Sequence, residues 1–149
     1  MTVALAAPLG EALGRGALAI VAYAIVGVLL LVVGFYMTDL AVPGRLSKVI
    51  RVERNPNATL LTASSLVAIA LIVSASIWSS GGLLQEGLLA TLVFGLVGIA
   101  MQTLGTMAFD RVAGISVREL VHEATLQPAA VLLGVTHLSI GLITAAAVI

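Results

Sequence analysis

Apolar positions in this chain fall into four long uncharged blocks, without the alternation of an exposed strand or the striping of a soluble helix. Gly16–Thr38 and Gly87–Phe109 each run 23 residues without a charge, Asn55–Gln85 runs 31, and Ala124–Ile149 runs 26 with His137 inside it. A membrane-spanning helix needs about 20 mostly apolar residues. The blocks therefore predict four transmembrane helices near 16–38, 57–78, 87–109 and 128–149. Pro56 and Pro128 stand at the predicted starts of the second and fourth, where a missing N–H costs nothing. Asn55 is a suitable N-cap for the second. Ser79-Ser80-Gly81-Gly82 breaks the chain between the second and third helices, and Trp78 precedes it at headgroup depth. The lead Met1–Gly14 lacks the basic segment of a signal peptide and is expected to lie uncleaved on the membrane surface. The predicted fold is all-α and polytopic, a single membrane domain over 1–149.

The pattern also repeats. At a shift of 71, Tyr23, Val26, Gly27, Gly34 and Asp39 fall on Phe94, Val97, Gly98, Gly105 and Asp110. At a shift of 72, Pro56, Ala58, Leu60, Leu61 and Leu66 fall on Pro128, Ala130, Leu132, Leu133 and Leu138. Apolar matches come cheaply in such a chain, but Gly, Asp and Pro do specific backbone or polar jobs. The reading is two copies, 16–78 and 87–149, with one residue inserted in the second. Each copy crosses twice, so the copies are parallel repeats about an axis along the membrane normal. Between the helices of each copy lies a short amphipathic segment. Leu46, Val49 and Ile50 form an i, i+3, i+4 stripe in the first, and Val117, Leu120 and Val121 form one in the second.

Composition sharpens the class. Mean hydropathy is +1.19 and only 9% of residues are charged, far too few for a water-solvated surface. The absence of Cys excludes disulfides and thiol chemistry. Arg45, Lys48, Arg51, Arg54, Arg111 and Arg118 lie in the two long loops, against Arg15 alone on the other side. The positive-inside bias places loops 39–56 and 110–127 in the cytoplasm and both termini outside. The first loop is net basic and the second net acidic. Arg45, Lys48, Arg51 and Arg54 are thus candidates for contact with anionic lipid or an acidic partner; plain solvation at the interface, or pairing of the two short helices, is the simpler alternative.

Candidate chemistry is sparse. His137 falls near the middle of the fourth helix and Gln102 at a matching depth in the antiparallel third, so a hydrogen bond between them is feasible. Intramembrane ionisable groups are functional candidates, and Ser65 joins them as the repeat counterpart of His137. Asp39 and Asp110 each end a helix, where the macrodipole disfavours an anion; a partner such as Arg45 or Arg111, or a turn capped by the carboxylate, is expected. Gly27 and Gly34, Gly98 and Gly105, and Gly134 and Gly141 are pairs spaced by seven, which allow close backbone approach. They serve either packing within the chain or a subunit interface. No catalytic constellation, metal-ligand set or cofactor motif is present.

The acid after the first helix, the amphipathic segment and the Asn-x-Ala-Ala-like entry to the second helix resemble the bacterial domain-of-unknown-function-350 membrane family. The elements are Asp39, Leu46–Arg54 and Asn55-Pro56-Asn57-Ala58, then Asp110, Val117–Glu123 and Gln127-Pro128-Ala129-Ala130. Asn57 departs from the expected Ala, and Gln127 from the expected Asn. The resemblance implies a prokaryotic inner-membrane protein, with members that look like accessories to membrane-associated assemblies. The leading functional expectation is a non-enzymatic membrane protein that self-associates or anchors an assembly, with lipid and further subunits, not nucleic acid, as partners. The alternative is a small channel or transporter-like protein with an ion or proton path near His137 and Gln102.

Overall fold

A computed structural model describes residues 3–41, 46–81 and 83–149. Every regular element among them is helical: α1 (Val3–Ala41), α2 (Leu46–Arg51), α3 (Pro56–Ser79), α4 (Leu84–Ala113), α5 (Val117–Leu120) and α6 (Pro128–Val148). The order long helix, short helix, proline-initiated helix occurs twice. Four of the six are long and apolar enough to cross a membrane. The end bearing α2 and α5 is called the loop end below, and the opposite end, at Gly81, the turn end.

Local chemistry sets most boundaries. Asn55 accepts the Ala58 N–H at 2.9 Å, and Pro56 follows in the first turn, so α3 starts there. α4 ends at Gly114, whose φ of 67° is the left-handed conformation that releases a chain from a helix. α1 differs from expectation: the lead is helical from Val3 and continuous with the span. Ala, Leu and Glu in the lead are good helix formers, and Arg15 just beyond it donates to Glu11 one turn earlier at 2.9 Å. At 1.5 Å per residue its 39 residues reach about 58 Å, well beyond a hydrocarbon core of about 30 Å.

The spans form a ring in the order α1, α3, α6, α4. The short diagonal, α3 to α4, is also in contact, whereas α1 and α6 share no extended contact. α3 is therefore the central helix and α1 an outlying one: 56% of α3's most apolar window is buried, against 11% of α1's. Glycine sets the closest seam. A Cβ on Gly141 of α6 would lie 2.7 Å from the Ala68 Cα of α3. Gly34 admits Ile69, Gly98 admits Ile72, Gly105 faces Ile140, Gly27 faces Val73, and Gly134 faces Leu60 and Ser64. All six glycines of the sequence pairs thus meet other helices of the same chain.

Apolar side chains pack in layers. Toward the turn end, Leu30, Ile69, Val73 and Ile99 form one cluster, and Ile72, Ala75 and Ala145 another. At the loop end, Leu46 and Val49 of α2 pack with Ala58 and Val121, while Leu61, Leu120, Ala130 and Leu133 fill the space beneath α5. The apolar stripes of both short segments therefore face the bundle, which leaves Lys48 and Arg51 exposed.

α5 is shorter than the Val117–Glu123 stripe suggests, because α3 captures the chain beyond it. Asn55 Nδ2 donates to the carbonyls of Val121 (2.7 Å) and Glu123 (2.9 Å). Asn57 Nδ2 donates to those of Glu123 (3.0 Å) and Thr125 (2.9 Å), and its Oδ1 accepts from the Gln127 N–H at 2.8 Å. Carbonyls held by side-chain amides are lost to a continuing helix.

Candidate functional site

Between the two apolar zones the four spans leave a cavity of about 50 Å³, mostly apolar in its lining but with polar groups from every span. Each helix supplies one face of it. α4 contributes Gln102, Thr106 and Asp110 at i, i+4 and i+8, a single stripe, with Thr103 beside it. α3 contributes Leu61, Ser65 and Ile69 at the same spacing, α1 contributes Gly34 and Thr38, and α6 contributes His137. The three residues singled out as an intramembrane polar group, His137, Gln102 and Ser65, line this one space. So does Asp110.

Polar groups in the cavity are only partly paired. Gln102 Nε2 donates to the main-chain carbonyl of His137 at 2.8 Å, so α4 and α6 are joined at the depth the residue count predicts, through the backbone and not the ring. Thr38 donates to the Gly34 carbonyl at 3.1 Å and lies 2.9 Å from the Ser65 hydroxyl. Thr103 and Thr106 spend their hydroxyl hydrogens on the carbonyls of Ile99 and Thr103, which leaves oxygen lone pairs as acceptors. Of the buried side-chain polar atoms without a hydrogen-bond partner among the described residues, Gln102 Oε1, Asp110 Oδ1 and both ring nitrogens of His137 belong to residues on this cavity, while Thr91 Oγ1 lies away from it. The ring lies beside the Leu61 carbonyl without completing a bond to it. Gln102 is 3% exposed and His137 8%, so water outside the bundle does not serve them.

The paired acids part company. Asp39 Oδ1 accepts the Leu46 N–H at 2.7 Å and so starts α2, a capping turn of the kind the sequence allows. In the second half Ser116 caps α5 through the Glu119 N–H, and Asp110 is released to face the cavity. Arg111 is exposed and makes no ion pair with it among the described residues. Arg45 lies outside the described residues. Lys48, Arg51 and Arg54 are exposed at the loop end, with Lys48 3.8 Å from Glu53, an exposed pair worth little. No three His, Cys, Asp or Glu side chains among the described residues come together as metal ligands.

Sequence reasoning missed Thr38, Thr103 and Thr106 on the cavity and Asn57 at the loop end. The first three carried a usable signal, since Gln102, Thr106 and Asp110 recur every four residues. Asn57 stood out only as a departure from the expected Ala.

An all-helical bundle with four helices long and apolar enough to span defines a polytopic membrane protein. Residues 11–148 match the family described as Domain of Unknown Function (DUF350), and the chain belongs to it. A UPF0719 transmembrane protein from Mycolicibacterium paratuberculosis is 33% identical over 134 residues, covering 90% of this chain and 89% of the relative. Another from Mycobacterium bovis is 35% identical over 133 residues, covering 89% and 88%. No solved structure matches the chain. Neither the family description nor the relatives' names attach a reaction.

Proposed function

We propose that this chain is a small non-enzymatic ion-handling protein of the channel or transporter type, with the cavity as its working centre. One observation carries this reading: Gln102 and His137, both more than nine-tenths buried and bearing unpaired polar atoms, line a space that Asp110 also lines. An unpaired buried polar group costs about 1–3 kcal/mol, so four such atoms are retained only where water or an ion serves them. That weight puts an ion path ahead of the anchoring role that the sequence favours. Positive-inside bias orients the loop end toward the cytoplasm of a prokaryotic inner membrane, since Arg45, Lys48, Arg51, Arg54, Arg111 and Arg118 lie there. Purified protein in liposomes under an imposed potential is expected to dissipate a proton, sodium or potassium gradient faster than empty liposomes, and a His137→Ala/Asp110→Asn variant to lose that activity. Silence with all three ions overturns the reading.

Self-association is the second reading, on a separate observation. Gly10 and Gly14, four apart on the outlying α1, have no side chain and no other helix within 4 Å of where a Cβ would stand, their immediate chain neighbours aside. Such spacing suits close helix pairing between copies in a membrane. Native mass spectrometry in mild detergent is expected to give a defined oligomer that Gly14→Leu shifts toward monomer. A wild-type monomer throughout removes this reading.

A further inference from the structure

The cavity has a direction. Along α4, Gln102 and Asp110 are eight residues apart, about 12 Å at 1.5 Å per residue. A water needs about 10–15 Å³ of such volume, so about 50 Å³ holds roughly three to five. Three waters in file, joined to each other and to both ends by bonds of about 2.8 Å, span about 11 Å. Volume and length therefore agree on one row of water. Thr103 and Thr106 on one side, and Thr38 and Ser65 on the other, offer hydroxyl oxygens along its course. We infer that this row is a one-sided proton conduit, entered at Asp110 from the loop end and ending on His137 at mid-span.

The closed side is plain from the packing. Beyond His137 the next layer is the apolar cluster of Leu30, Ile69, Val73 and Ile99, and the buried Ser76 and Thr91 lie nearer the turn end. At the open side the only α5 side chain on the cavity is Val117, and Asp110 itself is half-buried, with Oδ1 inside. Asp110 thus touches both the cavity and the solvent beyond it.

The chemistry at the inner end selects the proton over an alkali cation. His137 offers nitrogen, a poor ligand for hard cations and one that accepts a proton. Other elements packed on His137 bring no competing charge. α3 offers Ser64, Ser65 and the Leu61 carbonyl, and α4 offers Gln102 and then Asp110. On α1, Asp39 is engaged with the Leu46 N–H, and Tyr23 lies far off beside Ser80. Asp110 is the one carboxylate among the described lining residues.

The transfer balances. A proton from loop-end water binds an Asp110 carboxylate oxygen. The carboxyl O–H then breaks as the first water gains that proton and passes one of its own onward. The last water forms an N–H bond on a free ring nitrogen of His137. The end state is carboxylate and imidazolium, with every water restored, and the Leu61 carbonyl is close to receive the new donor.

This inference rests on the ion-handling reading and is tested apart from it. Ring-nitrogen-labelled protein carrying His122→Gln, so that His137 gives the only histidine signal, is placed in liposomes of one orientation and observed by solid-state NMR. Acidifying the loop-end face is expected to produce the imidazolium signal, while acidifying the turn-end face is not. Asp110→Asn is expected to slow its appearance roughly a hundredfold, and Asp110→Glu to restore it, which a merely structural role would not require. Thr106→Val, which removes a hydroxyl midway with little change of shape, is expected to slow it as well. Equal response from both faces, an unchanged rate in Asp110→Asn, or a signal that follows sodium and not protons overturns the conduit. One-sided protonation without net flux refutes transport and leaves the conduit standing. Flux that Asp110→Asn leaves intact does the reverse.

Discussion

Asn57→Asp is expected to prevent stable assembly of the loop end, and to do so more severely than Asn57→Ala. The wild-type side chain is wholly buried and makes three hydrogen bonds of 2.8–3.0 Å, two donated and one accepted. Removing all three with Ala costs about 3 kcal/mol at roughly 1 kcal/mol each. The Asp variant keeps the acceptor for the Gln127 N–H but turns an oxygen toward the carbonyls of Glu123 and Thr125. Like dipoles then oppose one another, and a carboxylate is buried with no cation beside it among the described residues, which adds several kcal/mol unless the group takes up a proton. The measurement is thermal loss of the monodisperse species in detergent, together with protease cleavage within 121–127. Expected are a clear drop for Asn57→Ala, and cleavage at ambient temperature for Asn57→Asp. Equal stability of Asn57→Asp and wild type would show that the loop is held by something other than this amide.

Position 57 also marks where symmetry stops being informative. Its counterpart, Ala129, has no amide with which to hold a loop as Asn57 does. The two halves read alike at Asp39 and Asp110, yet those acids differ in role for a reason visible one element later. Ser116 supplies the cap of α5, while the matching residue before α2 is Arg45, which has no acceptor to offer. Asp39 is therefore drawn to the Leu46 N–H, and Asp110 is left to the cavity.

The spans were legible because each lies in a block long enough to cross a bilayer, a signal summed over twenty residues. Depth was legible too: counting rise along two antiparallel helices put Gln102 level with His137, and they are joined there. What escaped depends on single atoms. Whether Gln102 meets the ring or the carbonyl of His137 turns on helix rotation, which apolar blocks without a polar face do not encode. The lead was misplaced for a related reason, since good helix formers extend a helix whether or not lipid surrounds them. Threonines at 38, 103 and 106 were passed over because Thr in a membrane helix usually satisfies its own backbone, as these do; only their shared face makes them a lining.

Gly141→Leu is expected to open the α3–α6 seam, to lower the stability of the fold and to abolish cavity function. Most of the glycine contacts face side-chain atoms and not backbone: Ile69 Cδ1 at Gly34, Ile72 Cγ2 at Gly98 and Ile140 Cγ2 at Gly105. At Gly141 the obstacle is the Ala68 backbone, 2.7 Å from a built Cβ, and a Cα moves only if its helix moves. Overpacking a core costs about 1–3 kcal/mol where side chains adjust, and a shift of whole helices puts this case at or above the upper end. That corresponds to a fall of roughly 10 °C in thermal midpoint, while Gly81→Ala, with open space around it, is expected to leave the midpoint unchanged. Gly141 is one turn from His137, and Ala68 lies between Ser65 and Ile69, so separating this seam also widens the cavity on two of its faces. A wider space breaks the single file of water before the bundle unfolds. Proton uptake by His137 is thus expected to fall in Gly141→Ala, where the fold survives, and a Gly141→Ala protein with wild-type uptake would mean that the row of water tolerates a looser wall than its dimensions suggest.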